Sequence, residues 1–464
     1  MTWRKWTDVE YFEPNTWSGE VPPILPYSQI ANLPVWMVPP DWSQSVTETF
    51  QFLTDILESP MGAEQRNAKR LAPRRTMEAS YLVYDEYRVA MDLALQRAHK
   101  SRWLVPMWFQ RFELKQDAKP GATQIDLGDV FTHELYGGQF LFLQGEYLTD
   151  FELVRVGGES GREPGGVISP TRRRWPKGTA VYPVKLARLD TDPSVTRVTS
   201  TLSTAQIRFQ FMEPTPVAPC KLSNSLEVFE VVAIPPNERD DLTNAYTYML
   251  DKFDGNVALP FEYATAPYGR ASMQMRYSLY GPKDYAKFLS FIHGVRGARH
   301  PFFVPTWNDD FQLMAPLRRA DGAMCVRKCG YTEYGFDQGA ETYIMIFIRG
   351  QEPVFRRVIG SRAEDRVEWL TLDATLDHDY AVDQIEKITV LIKARLDQDQ
   401  VEIEHITDID GVAETVLTFK ETVENRQQDK AKDSGPWGAQ ALIEWPKPDQ
   451  IWTKNLMPDM FPEI

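Results

Sequence analysis

The sequence predicts a mainly β chain with some α, built as tandem duplicated β-sandwich or barrel domains that each carry one flanking helix. Three observations lead there. The stretch "VPMWFQRFEL" (Val105–Leu114) returns as "VPTWNDDFQL" (Val304–Leu313), with Val, Pro, Trp, Phe and Leu at matching places. Further blocks repeat in the same order on either side, and much of each copy alternates apolar with polar residues, the period of a strand. The 464 residues also include 33 Pro and 12% aromatics, a composition of strands, turns and extended segments.

Taken in order, residues 1–33 place Trp3, Trp6 and Trp17 among prolines without periodicity. This reads as an N-terminal arm whose aromatics dock on their own chain or on a neighbour. The first unit, 34–213, opens on a Pro-Pro turn and a segment in which Phe50 and Phe52 alternate. Its copy, "IPPNERDDLTNAYTYMLDKF" (Ile234–Phe253), keeps the Pro-Pro and puts Tyr246 and Tyr248 at the aromatic places. The basic cluster "EQRNAKRLAPRR" (Glu64–Arg75) reads either as a solvated hairpin face balancing nearby carboxylates or as a subunit contact.

A helix is expected next. In the second unit Tyr285, Phe288, Leu289 and Ile292 fall on one helical face, with "GPKD" as the start signal and Gly294 as the end. In the first, the stripe is Val89, Ala90, Leu93, Ala94 and Ala98. The Val-Pro-x-Trp block that follows each helix reads as a strand, and its Trp108 and Phe112, matched by Trp307 and Phe311, are expected to form the repeated core. Strand patterning then continues to "VKLARLDTDP" (Val184–Pro193) and "LIKARLDQDQ" (Leu391–Gln400), which share Ala-Arg-Leu-Asp. A linker at 214–229 leads to the second unit, 230–421, and residues 422–464 form an extended C-terminal arm carrying Trp437.

Charge and chemistry exclude several classes. A net charge of −14 and a pI near 5.1 oppose specific nucleic-acid binding by counterion release, although an acidic conduit would let DNA slide past without adhesion. Three cysteines (Cys220, Cys325, Cys329) cannot build a disulfide framework, and "CVRKC" lacks the second close pair of a zinc site. His293 and His300 flank a Gly-rich turn in a solvated or capping role. Acidic strings such as "LDTDP" and "DIDG" lack Ca²⁺-loop spacing and read as turns. There is no GxSxG, P-loop or dinucleotide fingerprint, so no catalytic, cofactor or metal residue is assigned. The N-terminus lacks the apolar stretch of a signal peptide, no apolar run reaches membrane-helix length, and synthesis in a cytoplasm is expected.

The stretch "ESPMGAEQRNAKRLAPRRTMEASY", followed by one helix and "RWLVPMWF", resembles the pattern of distal-tail proteins of long-tailed bacteriophages and gene transfer agents. The matching residues are Ser59, Gly62, Glu64, Gln65, Arg66, Asn67, Arg74 and Arg75. In the second unit the helix and "HGVRGARHPFFVPTW" are similar to the same family, without the Glu-Gln-Arg-Asn signature. The likeness covers about 80 residues per unit. It implies a tail-tube-like domain in a ring at the tip of a phage tail, with a structural role and no catalytic residues. The family usually has one such domain per chain, and two would fill two of six places in a ring. The expected partners are other copies of the chain (a trimer with pseudo-sixfold symmetry, or a hexamer with stacked rings), the tail tube protein, the tape-measure protein and tip or central fibre proteins. DNA would only pass through. The expected location is the virion, at the tail tip, after synthesis in the bacterial host. Two other readings stay open: a receptor- or glycan-binding tail protein using exposed Trp such as Trp3, Trp17 and Trp437, and a tail-associated cell-wall hydrolase.

Overall fold

A computed structural model describes residues 33–422, apart from 60–61, 71, 98–101, 129, 131, 136–137, 158–168, 214–216, 218–224, 227–228, 233, 240–241, 249, 255, 257–260, 265–268, 337–341 and 409–410. Trp3, Trp6, Trp17, Trp437, Ala98, His99, Cys220, the Gly-rich stretch 158–167 and nearly all of both arms therefore lie outside the described residues.

The chain is mainly β with large antiparallel sheets. Its first half runs β1 (Val46–Gln51), β2 (Thr54–Glu58), β3 (Glu64–Ala68), β4 (Arg74–Tyr84), α1 (Asp85–Arg97), β5 (Trp103–Pro106), β6 (Phe112–Glu113), β7 (Phe140–Gln144), β8 (Phe151–Arg155), β9 (Ala180–Leu189), β10 (Ser194–Arg197) and β11 (Leu202–Phe211). A short hairpin of β12 (Ser225–Leu226) and β13 (Phe229–Glu230) intervenes. The second half runs β14 (Thr243–Thr247), β15 (Leu250–Phe253), β16 (Phe261–Ala264), β17 (Arg270–Tyr280), α2 (Gly281–Val295), β18 (Phe302–Pro305), β19 (Ala323–Arg327), β20 (Thr342–Ile348), β21 (Val354–Glu364), β22 (Val367–Leu372), β23 (Ile385–Leu396), β24 (Gln400–His405) and β25 (Val412–Glu421).

Element order and pairing recur between the halves. β1 pairs with β4 and β14 with β17; β2–β3 and β15–β16 are hairpins at the same place. β4 and β17 each span 11 residues, run straight into a helix, and pair along their length with β11 and β25. The reason is visible in their sequences. Met77, Ala79, Tyr81 and Val83 alternate inward along β4, as Met273, Met275, Tyr277 and Leu279 do along β17, so each strand buries one face only in this register. The second half adds the hairpin β21–β22 and the strand β19 beside it.

One antiparallel sheet passes through both halves in the order β10–β11–β4–β1–β24–β25–β17–β14. β9 leaves this sheet: its last residues pair with β11, whereas earlier ones pair with β5 and β7. β23 does the same with β25, β18 and β20. The main core lies beneath the shared sheet and draws on both halves, from Trp36, Tyr81, Trp103 and Phe209 to Tyr277, Phe288, Phe302 and Phe419. Each half also holds a smaller core of its own, around Trp175 and Leu141 in the first and around Leu317 and Ile346 in the second. Residues as far as Thr422 belong to one compact unit.

Three local expectations are corrected. On α1 Met91 is buried and Tyr87, Ala90, Ala94 and Leu95 pack half-buried against the core, so Ala90 and Ala94 of the expected stripe face inward while Val89 and Leu93 face outward. The helix follows the strand directly, and its roll is set by Met91 dropping into the core rather than by the thin Val/Ala stripe. α2 ends beyond Gly294, with Arg296 in the left-handed C-cap conformation (φ 54°) followed by Gly297. The Val-Pro-x-Trp blocks are strands only as far as the proline, because the next residue turns to hydrogen-bond a neighbouring strand: Met107 to Pro183 at 2.8 Å, and Thr306 to Val390 at 2.9 Å. Trp108 then packs edge-on to Phe142 and Tyr182, and Trp307 lies on Phe347 and below Lys387. Phe112 and Phe311 serve the two smaller cores.

Candidate functional site

The most heavily built region is the seam where the first repeat meets the second. β1 pairs with β24 over six residues, Val46 opposite His405 through Gln51 opposite Gln400. The pairing continues past the strand ends, as Phe52 N donates to Asp399 O at 2.8 Å. The Asp399 carboxylate accepts from Thr54 Oγ1 and from the Ala298 backbone, both at 2.9 Å, and so ties β2 to the turn after α2.

The β2–β3 hairpin extends this grip. Arg395, from the repeated Ala-Arg-Leu-Asp, donates to both oxygens of Glu64 at 2.7 and 3.0 Å. Arg270, the first residue of β17, pairs with Glu58 at 2.7 Å and donates to the Gly62 carbonyl at 2.6 Å. Gly62 has φ +90°, and a Cβ there would sit 2.0 Å from Arg270 Nη2, so both backbone conformation and contact require glycine. Burial alone would raise the Glu64 pKa, but Arg395 and Arg66 bring it below the usual carboxylate range. Bidentate Arg–carboxylate geometry gives direction as well as energy, which fixes the hairpin on the second repeat.

Under β1 lies a buried ionic cluster. The Arg75 guanidinium pairs with Glu48 and Glu134, and Lys185 Nζ lies 2.7 Å from Glu134. The second repeat completes it: Tyr285 Oη donates to Glu48 at 2.6 Å, and His405 Nε2 lies 3.1 Å from the same carboxylate. Two cations thus face two anions inside the core. Burial would raise both carboxylates, but Arg75 and its companions win, holding Glu48 below the ordinary value and Glu134 at about 2. Burial pushes the His405 imidazole down against the pull of Glu48, and Phe109 stacks on it at 3.9 Å. His133 reaches across to the Ala286 carbonyl at 2.9 Å.

Of the residues singled out in sequence, Gly62, Glu64 and Arg66 lie in the hairpin contact, with Gln65 and Asn67 on the same strand. Arg75 belongs to the buried cluster, whereas its neighbour Arg74 is exposed. Trp108 and Trp307 pack in the main core, and Phe112 and Phe311 in the two smaller ones. Sequence reasoning missed Glu48, Glu134, Lys185, Tyr285 and His405 as a group, because their separations along the chain leave no spacing to read. His293, expected in a solvated or capping role, lies in the last turn of α2 but is not solvated: it stands edge-on to Phe50 and Phe52 at 6.0 Å, and burial lowers its pKa to about 3. Cys325 is buried in β19, and Cys329 is exposed beside Glu368.

Among the described residues no cluster of His, Cys, Asp and Glu is arranged to hold a metal, and no helix is long and apolar enough to cross a membrane. A shallow polar depression bounded by Thr47, Thr49, Glu78, Arg208 and Glu402 lies along β1 and its neighbours. What the seam does chemically is bind: it joins two similar bodies through a strand edge, a clasping hairpin and a charge cluster. No protein-family model and no curated protein matches the chain.

Proposed function

We propose that this chain is a structural component of a phage tail tip. It would form a ring that connects the tail tube to tip or fibre proteins and leaves a channel for DNA. One observation carries the proposal: the two repeats meet head to tail, the leading edge of the first on the trailing edge of the second. A junction between unlike surfaces can be repeated until a ring closes. The resemblance of Gly62, Glu64, Gln65, Arg66, Asn67, Arg74 and Arg75 to distal-tail proteins supports the same reading; Gly62 precedes β3, the next four lie on β3, and the two arginines open β4.

Three copies would supply six repeats, suited to joining a sixfold tube to a threefold tip. Tail tube, tape-measure and fibre proteins are the partners of this reading, and the role is mechanical rather than catalytic. The net charge of −14 suits a conduit that does not retain DNA.

Native mass spectrometry of the purified assembly, with averaged electron-microscope views down its axis, tests the proposal. Three chains in a ring of six similar lobes support it, and six chains favour a hexamer of stacked rings instead. A stable monomer without partners would return the glycan-binding and hydrolase readings to the front.

A further inference from the structure

The seam inside the chain uses one end of each repeat, and among the described residues the other two ends of the sheet have no partner strand. Among the described residues β14 pairs only with β17, and β10 only with β11. These strands are the counterparts of β1 and β24, which pair with each other at the seam. Side chains follow the same logic. Phe50 is 1% exposed under the seam, whereas its counterpart Tyr246 is 65% exposed. Tyr248, Phe253, Phe261 and Tyr263 extend that bare apolar surface along β14 to β16.

The facing surface is bare as well. Tyr285 and Leu289 of α2 are buried in the core and its seam, Tyr285 at 5% exposure. Their counterparts on α1 are Val89, 44% exposed, and Leu93. Arg270 and Arg395, which hold the first hairpin, correspond to Arg74 and Arg188, both exposed at the same places in the first repeat. Val89 and Leu93, expected to face the core, are instead exposed at the places where Tyr285 and Leu289 are buried.

We infer that β14 and the β15–β16 hairpin of one copy dock on β10, α1 and the arginines Arg74 and Arg188 of a second copy, reproducing the internal seam between chains. This deepens the ring reading and rests on it for closure at a fixed number of copies. The register follows from the internal one. Carried over through the β10–β11 and β14–β17 ladders, it sets Ala245 opposite Ser194 and Thr243 opposite Thr196. Ala245 and Ser194 form a non-hydrogen-bonded pair there, the kind whose Cα atoms approach to about 4.5 Å, within disulfide reach.

The new junction is softer than the internal one. Glu48, Arg75 and His405 correspond to Asn244, Ala271 and Arg197, so the buried charge cluster is absent. Pro193 removes one donor from the ladder next to β10. Tyrosine and phenylalanine burial carries it instead, which suits chains that fold first and assemble afterwards.

The test is oxidation of the full-length Ala245→Cys/Ser194→Cys double variant, read on non-reducing gels beside native mass spectrometry. Each single variant and the off-register pair Ala245→Cys/Thr196→Cys are controls. The expected result is covalent oligomers up to the ring number from the in-register pair alone. Tyr246→Asp should weaken assembly by about tenfold or more with an unchanged melting temperature. Rings that assemble without this cross-link would overturn the junction and leave the ring reading standing. Chains that stay monomeric would overturn both.

Discussion

Arg75 decides more than any other single residue at the seam. It neutralises Glu48 and Glu134 at once and packs over Phe50 and Phe211 at 5.2 Å. Removing one partner of a buried ion pair leaves the other charge uncompensated, so Arg75→Ala should cost about 3–5 kcal/mol in a denaturant melt. Replacing Arg74 by Ala, one residue away but exposed, should leave the melt unchanged. Gly62→Ala meets a positive φ and the Arg270 guanidinium together, and should lower the melting temperature while Gly121→Ala, with open space around it, pays only for its φ. Protons act at this scale too. His293 in the folded chain titrates at about 3, below the 6.5 of a free imidazole, so the unfolded chain takes up the proton first. Its stability contribution is whole above pH 6.5 and drains as pH falls towards 3. Glu134, held at about 2 against 4.5, adds a loss between those values. A scan of melting temperature against pH should fall steadily below pH 6.5, and His293→Leu should flatten the upper part of that fall.

At the scale of elements, β4 and β17 hold their register because a one-residue slip would turn every inward side chain to solvent. α2 was readable in the sequence, since Tyr285, Phe288, Leu289 and Ile292 are all buried. α1 was readable as a helix but not in its facing, since apolar residues lie on both its faces: Met91 is buried, whereas Val89 and Leu93 are exposed. This yields a paired prediction. Leu289→Asp should unfold the protein, because Leu289 lies in the main core, whereas Leu93→Asp should leave the fold intact and impair assembly. Circular dichroism and sedimentation velocity separate the two outcomes. Trp36 was passed over because it precedes the first recognisable repeat block. In the structure it meets Tyr81, Trp103 and Phe209 edge-on within 6 Å, and Trp36→Ala should cost about 3–5 kcal/mol.

At the scale of the whole molecule, duplication was legible from blocks that keep their order, since each block marks a position the fold uses twice. The seam was not legible, because it joins residues such as Glu48 and His405 that sit at opposite ends of the chain and whose counterparts, Asn244 and Arg197, are of another kind. Repetition with divergence is what the proposed ring would ask of a chain: buried charge locks the junction within the molecule, and the junction proposed between molecules would be the softer one. The most direct test is a cryo-electron-microscopy reconstruction of the assembled particle, in which the junction within a chain and the junction between chains can be superposed. The two are expected to coincide, with β14 against β10 just as β1 lies against β24. A particle whose chains meet through other surfaces, or about a twofold axis, would contradict it.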